Sequence, residues 1–216
     1  MKKWILDRLP QLFCVLLVIF SVLMISNHAK AKTTAEWKQA GLEAIQEGGK
    51  IILLRHAYAP RTVANGNHDK NYKHMVCSTQ RDILSEGIKQ SKAIGQWVID
   101  NNIVIDKVIA SPTCRTYKTA KYAGWEYTLN ENVRNVGDSK KTKKRVNELR
   151  KIIANWNGKG NLVIVTHFKM INPLFPAVKA GNGEMIITDG TTLGDENQYF
   201  KPIGRIKFEY DVTNKL

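Results

Sequence analysis

Cysteine is scarce in this chain: three in 216 residues, and Cys14 falls inside an apolar N-terminal stretch. Cys77 and Cys114 alone are too few for a disulfide-dense scaffold, so a buried core must hold the fold. Acidic residues are also few, with 19 Asp and Glu against 33 Lys and Arg and a formal net charge of +14. That excess points to anions, whether phosphorylated substrates, acidic glycans, lipid surfaces or nucleic acid, and does not choose among them. Internal repeats, low-complexity tracts and a dividing linker are absent as well. Solenoids and tandem modules are thereby excluded, and one domain is the simplest organisation. What is present is ordinary for a globular protein: 43% apolar and 24% charged residues.

The first 31 residues are set apart from the fold. Lys2, Lys3 and Arg8 precede the apolar run Leu12–Ile25, broken only by Ser21, and Ala29-Lys30-Ala31 has the small-x-small form of a cleavage site. These features predict a secretory signal peptide over 1–31, with an uncleaved N-terminal anchor as the alternative. Phe13 before Cys14 is too bulky for lipoprotein processing. The expected domain is then 32–216, still strongly basic, in the periplasm or secreted, with membrane contact only through 1–31 if the leader is retained. In such a compartment Cys77 and Cys114 could pair, but spacing alone leaves the pairing open.

The chain is organised around Ile51–Ala57. Four consecutive apolar residues, preceded by Gly48-Gly49, suit a strand buried on both faces, and it ends in Arg55 and His56. A helix is expected before it, over Thr34–Glu47. Residues 58–80 lack periodicity and are read as a long loop. Ser85 is expected to cap a helix reaching about Asn101, with Ile88, Ala93, Ile94, Trp97 and Val98 inward. Ile105–Ala110 reads as a second buried strand closed by Ser111-Pro112, and Thr113–Ala123 as a helix. A loop is expected over Glu131–Ser139. Lys140–Trp156 is a basic amphipathic helix with Val146, Leu149, Ile152, Ile153 and Trp156 inward. Leu162–Val165 is a third buried strand, ending near His167, and Ile186-Ile187 and Ile206–Tyr210 are expected as short strands near a sheet edge.

This order predicts an α/β fold, a three-layer αβα sandwich around a mostly parallel sheet. Ligands in such sheets sit beyond the carboxyl ends of the strands. Three strand ends then offer Arg55-His56, Ser111 with Arg115, and Thr166-His167 to one rim.

Other patterns carry less. His68, His74 and Cys77 match no standard zinc spacing and lack a fourth ligand, so no metal and no cofactor are expected. Gly48-Gly49-Lys50 precedes a strand rather than a helix and is no phosphate-binding P-loop. The basic helix has few aromatic residues, so its charged face is read as solvated and nucleic acid is not expected as a partner.

Four segments taken together resemble the histidine phosphatase superfamily, the phosphoglycerate-mutase-like fold. They are Leu54-Arg55-His56-Ala57, Gln80–Gly87, Ser111-Pro112-Thr113-Cys114-Arg115 with Thr119-Ala120, and Val165-Thr166-His167, in that family's order. Cys77 and Cys114 beside the arginine motifs resemble its exported bacterial branch. The resemblance implies a phosphomonoester hydrolase in which His56 forms a phosphohistidine, Arg55 and Arg115 clamp the phosphoryl oxygens, and His167 donates to them. It implies no metal. Leu129-Asn130-Glu131 is similar to the segment that carries the acid in the mutase-like branch, making Glu131 the candidate proton donor, with a solvated loop glutamate as the alternative. Phe168 stands where the phytase-like branch has aspartate, which argues against that branch. Gln80, Arg81, Ser111 and Arg61 are candidate substrate contacts. Lys70, Lys73 and His74 lie in the same long loop.

The expected partner is a small phosphorylated substrate, for which an exported position suggests an envelope sugar phosphate. A phosphomutase or phosphotransferase of the same fold, and a catalytically silent binder of phosphorylated glycans, are the rival readings. Substrate identity, leader cleavage and oligomeric state are not encoded in any motif here.

Overall fold

The computed structural model describes residues 31–60, 72–135, 138–194 and 199–210, so the expected leader and Arg61, His68 and Lys70 lie outside the described residues. Residues 34–216 cluster as one compact unit. The elements in chain order are α1 (Thr34–Glu47), β1 (Ile51–Arg55), α2 (Ser85–Asp100), β2 (Ile105–Ala110), α3 (Cys114–Tyr122), β3 (Thr128–Leu129), α4 (Ser139–Ala154), β4 (Asn161–Thr166), α5 (Phe168–Ile171), β5 (Glu184–Thr188) and β6 (Gly204–Lys207). Single 3₁₀ turns occur at Cys77–Thr79 and Glu131–Val133.

The six strands form one sheet in the order β3-β2-β4-β1-β5-β6. β3, β2, β4 and β1 run parallel, while β5 and β6 are antiparallel. The central strands read as unbroken apolar runs because both faces of the sheet are covered. Their pleat divides them cleanly between two cores. Ile51, Leu53, Leu162, Ile164 and Ile186 pack with Val146, Leu149 and Ile153 of α4 and with Met170 and Ile171 of α5. Ile52, Leu54, Val163, Val165 and Ile187 pack on the opposite face with Ala44 and Ile45 of α1, Ile94 and Val98 of α2, and Ala120 of α3. This is the αβα sandwich expected from the pattern, with helices on both faces.

Several local expectations need correction. α2 begins at Ser85 itself, and Leu84 occupies the N-cap without a side-chain hydrogen bond. Its buried face is Gly87, Gln90, Ser91, Ile94, Gly95 and Val98, whereas Ala93 is exposed. The reason is close approach: a Cβ on Gly95 would lie 2.0 Å from the Ala123 carbonyl oxygen, so the stripe tracks small residues that let α2 and α3 touch. β5 and β6 do lie at one edge of the sheet, but β6 spans Gly204–Lys207 and stops short of Tyr210, and β5 pairs on both sides with all five of its residues buried. β3 and α5 are too short for periodicity to reveal. Among the described residues, no helix is long and apolar enough to cross a membrane.

Candidate active site

β2, β4 and β1 are adjacent and parallel, so their carboxyl ends meet on one rim. Backbone bonds lock that rim: His56 N–H donates to Thr166 O at 3.0 Å, and Ser111 N–H to Val165 O at 3.0 Å. The His56 and His167 rings therefore approach edge to face, with centroids 5.5 Å apart. Both are nearly fully buried, each 3% exposed. Two residues more than a hundred positions apart in the chain thus come to lie side by side.

The tautomer of His56 follows from its partner. Nδ1 lies 2.8 Å from the Ala57 carbonyl oxygen, which can only accept, so Nδ1 carries the proton and donates. The Asn182 amide is 3.3 Å from the same nitrogen but has a better acceptor in His56 O, to which it donates at 3.1 Å. Nε2 is left with its lone pair. The ring is also held neutral. Burial, then the charges of Arg115, Arg55 and Arg81, push its pKa well below the usual imidazole value, opposed only by the bond to Ala57.

His167 Nε2 lies 2.9 Å from Ser111 Oγ and 3.2 Å from Thr113 Oγ1. Thr116 Oγ1 donates its one proton to the Ser111 and Thr113 carbonyls, so Thr113 O–H donates to Thr116 Oγ1. Thr113 Oγ1 can then only accept from the imidazole, which places a proton on His167 Nε2. Burial and the charges of Arg115, His56, Arg81 and Arg55 hold this ring's pKa well down too.

A ring-proton NMR titration of the anion-free protein is expected to give midpoints below 6.5, the ordinary imidazole value, for both residues. Unfolded imidazoles bind protons near 6.5, so below that pH the unfolded chain holds more protons than the folded one. The stability these rings contribute is complete above pH 6.5 and declines as the pH falls, by up to about 1.4 kcal/mol per pH unit for each ring. A midpoint at or above 6.5 for either ring contradicts the arrangement.

The cations have distinct supports. Arg55 Nη1 donates to Ala180 O at 2.8 Å, and its guanidinium stands 5.6 Å over the Phe168 ring. Arg115 sits in the first turn of α3 and is 4% exposed, a depth at which an arginine is rarely found. Arg81 acts on both imidazoles through its charge. Gln80 is committed on both sides of its amide: Oε1 accepts from Cys114 N–H at 3.0 Å and Nε2 donates to Lys73 O at 3.0 Å. It ties residues 73–80 to the start of α3 in parallel with a Cys77–Cys114 disulfide, the pairing the sequence left open. Cys77 is therefore not a thiolate ligand for a metal.

Glu131 lies on the same rim. Asn130 N–H donates to Ala110 O, the last residue of β2, and Thr166 Oγ1 at the end of β4 donates to Val133 O at 2.6 Å. The carboxylate is a hub: Oε2 accepts from Arg134 Nε at 2.7 Å and Arg145 Nη2 at 3.0 Å, and Oε1 faces His74 Nδ1 at 3.4 Å. Arg134, one of the two guanidiniums on this carboxylate, also stands over the Tyr72 ring at 4.9 Å.

The segment 180–184 was not anticipated, yet it braces His56. Besides the Ala180 and Asn182 contacts, Gly183 N–H donates to Arg55 O and His56 O at 3.1 and 3.2 Å. Gly183 has φ +67°, and a Cβ there would lie 2.2 Å from the Gln90 amide nitrogen, so only glycine serves. The buried Glu184 fixes the turn by accepting from Gly181 N–H at 2.6 Å while pairing with Arg205. The Gly181-Asn182-Gly183 run was the available signal. Thr119 is a second unanticipated support, accepting from Ala57 N–H at 3.0 Å.

No family model matches the sequence, and a search of curated proteins finds no match to it. Among solved structures, the chain is similar to the protein histidine phosphatase SixA complexed with tungstate, at 15% identity over 73% of this chain and 96% of that one, with a TM-score of 0.50. It is similar as well to an open reading frame from Mycobacterium tuberculosis, at 15% identity over 71% and 94%, also at 0.50. The fold is that of the histidine phosphatases.

Proposed function

We propose that this protein hydrolyses phosphomonoesters through a phosphohistidine on His56. The observation that carries the reading is a neutral imidazole with its lone pair on Nε2, buried among Arg55, Arg81 and Arg115 and 5.5 Å from a second imidazole. A dianion is the natural occupant of such a pocket, and SixA, which has the same fold, takes the oxyanion tungstate. His56 Nε2 attacks phosphorus in line, forming the N–P bond as the ester P–O bond breaks. Arg55 and Arg115 hold the equatorial oxygens with permanent, fork-shaped charge, and the N–H of His167 turns from Ser111 to the same oxygens as their charge redistributes.

The leaving oxygen must gain a proton, and Glu131 is the proposed donor. Among the described residues, the guanidiniums bind Oε2, while Oε1 faces the exposed His74. In the second step a water gives its proton to the same carboxylate and attacks phosphorus. Nε2 leaves with the N–P bonding pair, and inorganic phosphate departs. Every charge the reaction needs is then supplied by side chains.

The test is an acid–base quench of the protein turning over a radiolabelled aryl phosphate. The reading expects release of inorganic phosphate and a base-stable, acid-labile phosphoryl group on the peptide containing His56. Phosphate release with no such adduct in single-turnover mixing would sink the covalent mechanism. Transfer to an added alcohol without phosphate release would favour a phosphotransferase.

Export belongs to the same proposal. It rests on the leader pattern in residues 1–31 and on the Cys77–Cys114 disulfide, a bond that persists in oxidising compartments. An intact mass corresponding to cleavage after Ala31, from the periplasmic or culture fraction, is the expected outcome; an unprocessed chain confined to the cytosol contradicts it. An envelope sugar phosphate is the substrate class that such a location makes available.

A further inference from the structure

A groove of about 580 Å³ opens between α4 and α5, outside the phosphoryl clamp, a volume suited to a small organic ligand. One of its walls is Phe168, the residue that follows His167 and whose ring also packs under the Arg55 guanidinium. Phe168 thus borders both the groove and the Arg55 guanidinium. Val146, Pro173 and Tyr199 extend the apolar wall. Lys143, Arg150 and Lys169 supply the charge, and no acidic residue is among the described lining. Arg150 is anchored by donating to Pro173 O at 3.2 Å, while its buried Nε has no hydrogen-bond partner among the described residues.

From this juxtaposition we infer that the groove binds the leaving group of the substrate. It selects phosphomonoesters whose organic part has a flat apolar face and carries a second anionic group. The inference rests on the phosphatase reading and sharpens it. A leaving group that extends from the clamp along Phe168 meets an apolar wall with three cations at its margin. A lone apolar body would leave those cations unanswered, and a second anion without that body would leave the wall wet. The class includes an acidic sugar, whose C–H face stacks on aromatic rings, as well as an acidic aromatic.

The probes are 2-naphthyl phosphate and the same ester bearing a sulfonate on the distal ring, assayed with the full protein at low and moderate salt. The readout is the ratio of their kcat/KM values. In a Lys143→Glu/Lys169→Glu variant the preference for the sulfonated ester is expected to fall by roughly tenfold, the scale for reversing two exposed charges. A Lys140→Glu/Lys144→Glu variant, equal in net charge but altered on exposed positions of α4 outside the groove, is expected to keep the wild-type ratio. If both esters turn over and the groove variant keeps the wild-type ratio, the groove is not the subsite, and the phosphatase reading stands. An equal fall in both variants assigns the preference to the overall field and also overturns the inference. If phosphatidylglycerol vesicles abolish the preference by competition, the groove serves a membrane surface instead. Failure of wild type to hydrolyse either ester removes the phosphatase reading itself.

Discussion

Replacing His56 by alanine is expected to lower phosphate release from an aryl phosphate by at least about 10⁴-fold, the scale on which loss of a covalent nucleophile is felt. The substitution removes Nε2 and nothing else that the mechanism requires. The backbone at this position is bound independently, with His56 N–H on Thr166 O and His56 O held by Asn182 and Gly183. The variant should therefore fold, and its clamp should still bind inorganic phosphate in a calorimetric titration. Wild-type turnover in this variant would end the phosphohistidine mechanism. Lost turnover together with lost phosphate binding would instead indicate a collapsed pocket.

Substitution of Arg115 carries the second large effect. Arg115→Ala is expected to reduce kcat by about 10²–10³-fold, the loss seen when one preorganised donor to a developing negative charge is removed. Arg115→Lys should recover only part of this, because an ammonium cannot span two oxygens in one plane. A second readout separates a direct role from a structural one. Arg115 is the largest charge acting on both imidazoles, so its removal should raise the NMR midpoints of His56 and His167 together. Unchanged midpoints in a folded Arg115→Ala protein would show that this guanidinium does not face the two rings.

Much of this architecture was legible in the chain because its central strands are buried on both faces. Ile51–Leu54 and Leu162–Val165 stand out as unbroken apolar runs, and parallel neighbours must end on the same rim. Ile105–Ala110 is less buried than its apolar ends suggest: Asp106 and Lys107 are exposed, and only Val108, Ile109 and Ala110 enter the core. The polar residues that terminate those runs, Arg55, His56, Ser111 and His167, then announce themselves. What stayed hidden depends on close approach or on short elements. The inward face of α2 follows Gly87, Ser91 and Gly95 more than bulky side chains, since contact with the 58 and 123 carbonyls demands small residues. The turn at 180–184 has no hydrophobic period at all, and its importance lies in backbone groups that sequence patterns do not display. Gln80 was a natural substrate contact beside Arg81, but its amide is spent on Lys73 and Cys114. The environment of Glu131 was equally unreadable, because Arg134 and Arg145 reach it from the same turn and from a helix that begins later.

The position of β1 in the sheet has a consequence for how the molecule comes into being. This strand is near the beginning of the chain, yet both of its neighbours, β4 and β5, arrive from the last third. During synthesis the strongly apolar strand that leads into His56 has no partner until β4, ending at Thr166, has left the ribosome, and is covered on both edges only once β5, ending at Thr188, follows. Contacts of such wide sequence separation slow folding and favour capture by holding factors in the interval. The site around His56 is then a late product of folding, and a chain whose β4 and β5 have not yet docked has no place to hold an anion there.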